Sequence, residues 1–176
     1  GYARAALASY KDYAALRRQG LIAPGQKYMV ALPSPYNVIS FCIMPDSQAA
    51  AEICYEARLL QELDEILAAI PHQDLSIQWD CAHDMQAFDG ARRPWFSPAR
   101  EGIAERLVRL GNHIPADVEM GYHFCYGSYG GRHFVEPKSM AAMVDLANAI
   151  SAGLTRSFDY LHMPVPIERD EDAYFE

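Results

Sequence analysis

Short strand-like runs and longer helix-like runs take turns along this chain, and that alternation limits its architecture more than any other property. Tyr2 to Gln19 has helical spacing, with Leu7, Tyr10, Ala14 and Leu16 near one face and Gly20 as the stop. Lys27 to Leu32 reads as a strand broken by Pro33-Ser34-Pro35, and Val38 to Met44 as a short apolar run of strand character. Ala49 to Ile70 carries the strongest helical period, with Ile53, Ala57, Leu60, Leu63, Leu67 and Ile70 on one face, and Pro71 ends it. Leu75 to Asp80 alternates as a strand, and Met85 to Phe96 reads as loop. Ser97 and Pro98 open a helix whose inner face is Ile103, Leu107 and Leu110, with Gly111 as its stop. Asp117 to Cys125 is the next strand and a glycine-rich loop, Gly127 to Gly131, follows it. Ser139 to Ile150 is helical with Met143, Leu146 and Ile150 facing in, and Tyr160 to Val165 is the last strand.

Helix and strand in strict rotation predict an α/β fold with a parallel sheet joined by right-handed crossovers. An open doubly wound sheet and a (β/α) barrel both satisfy it. No GxGxxG follows the first strand, which speaks against a dinucleotide-binding sheet. The 176 residues hold four strand-like units, about half of the eight that close a barrel. Expected on this count is a single segment, residues 1–176, without the N-terminal and C-terminal strands of the closed barrel.

A hydrophobic fraction of 51% excludes a disordered chain. The net charge of −8 argues against nucleic acid as a partner, since phosphate-backbone binding needs a cationic surface. No apolar run approaches the ~18 residues of a membrane span, and the first residues lack the apolar core of a signal peptide. The four cysteines are widely spaced with no CxxC pair, as expected of reduced thiols in the cytoplasm.

Polar residues collect where the strands end, which is where α/β enzymes build their sites. They include Ser34 after the first strand, then Gln78, Asp80, His83 and Asp84 after the second. His123, Cys125 and Tyr126 follow the third, and His162 lies on the fourth. His123 and Cys125 are two apart on a strand, so both side chains face one way and can converge on one Zn²⁺; Gly121 on the same face leaves room beneath. A buried histidine beside a structural cysteine has the same spacing, and two ligands do not complete a tetrahedral site. Asp80 is placed to hold an ammonium group or act as an acid or base, or equally as a cap or ion-pair partner. His162 fits a third ligand, an orienting group or a satisfied core histidine. The Gly127–His133 segment, with Arg132, can wrap an anion or be an ordinary glycine turn. His83-Asp84 alone reads as a solvated loop pair.

Together these segments resemble the cobalamin-independent methionine synthase family. The closer resemblance is to the methionine synthase II-like proteins of the uroporphyrinogen decarboxylase/methionine synthase group. The residues that carry it are Leu32-Pro33-Ser34-Pro35, Gln78-Trp79-Asp80, His123-Phe124-Cys125-Tyr126-Gly127 and His162-Met163-Pro164-Val165-Pro166, with Arg169, Asp170 and Asp172 to Phe175 after them. The resemblance implies part of a (β/α)8 TIM barrel and zinc-dependent methyl or alkyl transfer to a small-molecule thiol, with a folate-type methyl donor. It implies His123 and Cys125 as metal ligands, and Asp80 and His162 as catalytic residues. Substrate would be bound by Gln78, Asp80, Ser34, Tyr126 and Arg132. The rest of the barrel or a second copy is the implied partner.

Three departures stand out. Cys81-Ala82 replaces the family's Glu-Pro, His162 and Pro164 occupy the strand that carries the family's third ligand, and its fourth would lie beyond Glu176. Two other readings follow from the same residues. One is a metal-free decarboxylase-like lyase in which Asp80, Arg132 and Arg169 hold a polycarboxylate. The other is a non-catalytic barrel fragment that assembles with partners.

Overall fold

A computed structural model gives the fold. It describes residues 1–130, 132–166, 169 and 171–175, with residues 129 and 132 described by their backbone only. The elements in order are α1 (Tyr2–Arg18), β1 (Tyr28–Pro33), α2 (Pro35–Cys42), α3 (Gln48–Ala69), β2 (Leu75–Cys81), α4 (Ala82–Phe88), α5 (Ala99–His113), β3 (Glu119–Phe124), β4 (Ser128–Tyr129), β5 (Arg132–His133), α6 (Ala141–Gly153), β6 (Tyr160–His162) and α7 (Asp172–Phe175).

The main sheet has four strands in the order β1-β2-β3-β6, and every pair is parallel. Strand order follows chain order without the reversal that marks doubly wound sheets. Right-handed crossovers between successive neighbours put the connecting helices on one face. Burial agrees. Val30 and Leu32 of β1, Leu75, Ile77, Trp79 and Cys81 of β2, and Met120, Tyr122 and Phe124 of β3 form one core cluster with Leu63 and Ile66 of α3, Leu107 of α5 and Leu146 of α6. The opposite face carries Met29 and Ala31, then Ser76, Gln78 and Asp80, then Gly121 and His123, then Tyr160 and His162, which pair in rows across the strands.

The inner faces expected for α5 and α6 are the buried ones. Elsewhere the structure corrects the expectation. Val38 to Met44 is mostly α2, because Ser34 accepts a hydrogen bond from the Asn37 amide as an N-cap and Pro35 starts the helix. The expected loop from Met85 begins as α4, which continues straight from β2. The α3 stripe is turned: Ile53 is 74% exposed while Glu52 and Glu62 are buried. Glu52 is held by Arg106 and Trp95, and Glu62 by the Ala3 amide and Arg58. On α1, Ala3, Ala6 and Tyr13 are buried and Leu16 is exposed. Gly111 does not end α5, which runs to His113. Its role is close approach, because a Cβ there would collide with the Tyr122 hydroxyl and Leu154. The last strand stops at His162 rather than Val165.

Candidate functional site

The site is built on the open face at the C-terminal ends of β2, β3 and β6. Register places Asp80 opposite His123, and His123 opposite His162, so three strand ends present one polar row. His123 Nδ1 lies 3.1 Å from Asp80 Oδ1, and Gln78 Nε2 donates to the same oxygen at 2.9 Å. Gln78 thereby fixes the carboxylate that fixes the imidazole. The His162 ring stacks on the His123 ring at 4.5 Å between centroids, 17° from parallel. Cys125, one residue past β3, is half-buried beside His123. Asp80 first and Cys125 second outweigh desolvation and push the His123 imidazole up to about 10.

Tyr160 forms the floor of this row. Its ring lies against Gly121, where a Cβ would come within 2.5 Å of it. The space expected beneath His123 is therefore filled by an aromatic ring. The Tyr160 hydroxyl donates to the Ile77 carbonyl at 3.3 Å and lies 3.2 Å from Ser76 Oγ, tying β6 across β3 to β2. An unremarkable Tyr in a short strand carries no sequence signal for this. Only Gly121 opposite it, a residue without a side chain on a core strand, hints at a close approach.

The structure brings together Gln78, Asp80, His123, Cys125 and His162. It does not bring Ser34 or Tyr126 to them. Ser34 is buried as the cap of α2 and donates to Asp84 Oδ2 at 2.6 Å. Tyr126 is fully buried, with its hydroxyl donating to Asp89 and its carbonyl accepting from Gln86. The glycine-rich segment folds as a β4–β5 hairpin with Gly130 at φ +61°, closed by the Phe134 amide on the Gly127 carbonyl. Gly131, Asp170 and the Arg132 side chain lie outside the described residues. Arg169 donates to the carbonyls of Pro137 and Lys138 and stacks on Tyr174, a structural role. His83 and Asp84 are buried on α4 rather than solvated.

As a metal centre, the donor chemistry fits in part. With Nδ1 held by a carboxylate, His123 has Nε2 to give to a metal, the arrangement that orients ligating imidazoles. Cys125 offers a sulfur donor beside it. Among the described residues, no group of three or more His, Cys, Asp and Glu side chains is gathered to hold an ion, so His123 and Cys125 account for two corners of a tetrahedron. No described helix is long and apolar enough to cross a membrane. Comparison of the chain with protein-family models, with curated proteins and with solved structures finds no match.

Proposed function

We propose that this chain is the site-bearing part of a (β/α)8 barrel of the methionine synthase II-like type, which transfers a methyl or alkyl group to a small-molecule thiol with zinc. The observation that supports it best is the Gln78–Asp80–His123 relay with Cys125 beside it, on the open face of a sheet whose strands run parallel in chain order. Helices on one side and a polar face on the other are what an unclosed barrel wall presents. The outer edges of β1 and β6 are unpaired among the described residues, and further strands would come from the rest of the barrel or from a second copy.

His123 and Cys125 would hold the metal. Bound there, zinc would keep a substrate thiol as its thiolate at neutral pH, the nucleophile that accepts the methyl group from a folate-type donor. Asp80 holds the His123 ring in one orientation through Oδ1, and nothing described donates to Oδ2, which suits it to a substrate ammonium group. His162 covers one face of the imidazole and restricts its rotation. Tyr160 fills the floor over Gly121 and is held there by the Ile77 carbonyl.

Metal analysis and thiol alkylation by a methyl donor test this reading. One zinc per chain is expected, lost in His123→Ala and Cys125→Ser together with at least a hundredfold of activity. Full turnover in a metal-free preparation, or in both variants, would overturn it. Binding of polycarboxylates without metal would favour the decarboxylase-like alternative.

A further inference from the structure

Behind the open face, one acid is sealed in the protein. Asp84, in the first turn of α4, is 0% exposed. Its Oδ2 accepts the Ser34 hydroxyl proton at 2.6 Å, while Oδ1 has no hydrogen-bond partner, and neither has the buried hydroxyl of Tyr36. The titratable and charged groups that act on it are Tyr36 on α2, Glu52 on α3, Cys81 at the end of β2 and Arg106 on α5. Arg92, in the segment after α4, acts on Tyr36 in the same cluster. Neither arginine pairs with Asp84. Arg106 donates to both oxygens of Glu52 and to the Gly102 carbonyl, and Arg92 donates to Gln86 and the Ser40 carbonyl. A buried carboxylate with one oxygen unpartnered is costly to ionise. Burial accordingly pushes the Asp84 carboxyl up to about 7.

What Asp84 holds is the turn between β1 and α2. The Ser34 amide donates to the Asp80 carbonyl at 3.1 Å, and the Asn37 side chain donates to the same carbonyl at 3.3 Å. Asn37 Oδ1 accepts from the His83 amide, and the Asn37 amide donates to Ser34 Oγ at 3.0 Å. The turn is thus laced to the strand end that carries Asp80.

We propose that Asp84 is a proton-operated latch on the β1–α2 turn: protonated, it stays buried on Ser34 and keeps the turn closed against the end of β2; ionised, it releases its proton to solvent, draws toward water and loosens the turn beside Asp80. The latch stands whatever chemistry His123 and Cys125 perform, because none of its groups belongs to that pair.

Carbon-13 NMR of the aspartate carboxyls tests it, with the Asp84 signal assigned by its loss in Asp84→Asn. Titration near pH 7 is expected, and titration near pH 4 overturns the proposal. Hydrogen exchange at the Asn37 amide reads the turn itself. Beyond the intrinsic pH effect on exchange, its protection should fall about tenfold between pH 6 and pH 8, as linkage requires of an acid near 7 that ionises freely when open. In Asp84→Asn that fall should vanish. Wild-type protection that stays level, or a fall that survives in Asp84→Asn, refutes the latch. If Asp84→Asn fails to fold, Ser34→Ala assigns the carboxyl by its shift, and the two wild-type measurements still decide.

Discussion

The two faces of the sheet obey different rules. On the helix side, Leu75, Ile77, Trp79, Met120, Tyr122 and Phe124 have no solvent exposure. On the open side, one position away on the same strands, Gln78, Asp80 and His123 spend their hydrogen bonds on each other, and Asp80 and His123 remain partly open to solvent. One face carries stability through burial. The other contributes less to stability, because its ion pair is screened by solvent.

The largest effect expected from this contrast is on the closed face. Ile77→Ala should cost about 2–5 kcal/mol in chemical denaturation, the usual range for emptying a sealed apolar site. A cost near zero would mean that the core is not packed as described. Gly111→Ala should follow at about 1–3 kcal/mol, since its methyl group has to displace Tyr122 or Leu154.

On the open face, Asp80→Asn in the metal-free protein should cost on the order of 1 kcal/mol at pH 7, kept low by solvent screening. Its pH dependence sharpens the comparison. The folded His123 value of about 10 exceeds the ordinary 6.5, so this contribution is whole below about 6.5 and is lost as pH rises through about 10. The gap between wild type and Asp80→Asn should therefore close toward pH 10; a constant gap would deny the ion pair. Asp84 adds a second slope. It ionises near 4 when unfolded and near 7 when folded, so the folded state holds the extra proton between them and stability falls as pH rises across that window. Smallest of all, Ile53→Ala on the exposed side of α3 should change stability by less than about 0.5 kcal/mol. A larger loss would restore the inward stripe that helical period alone assigns to it.

Much of the architecture was legible in the chain. The rotation of helix and strand implied a parallel sheet, and the inner faces of α5 and α6 followed from helical period because those helices bury only apolar residues. Period misled on α3, where Glu52 and Glu62 are buried by partners from α5, the segment before it and α1, none of which a single helix reveals. Ser34-Pro35 held a readable helix start that the apolar run after it obscured. Of the candidate site, the same-face spacing of Gln78 with Asp80 and of His123 with Cys125 was visible. The contact of Asp80 with His123 was not, since it depends on register between strands 43 residues apart in sequence.

The sequence by itself determined the class of fold and the strand ends where polar groups gather, because those follow from local period and turn chemistry. Only the tertiary structure decided which polar residues meet. It separated Ser34 and Tyr126 from the open face, laid Tyr160 over Gly121 and sealed Asp84 behind the site. Each outcome turns on the pairing of distant strands and on what packs over a side chain, and no short-range pattern encodes either.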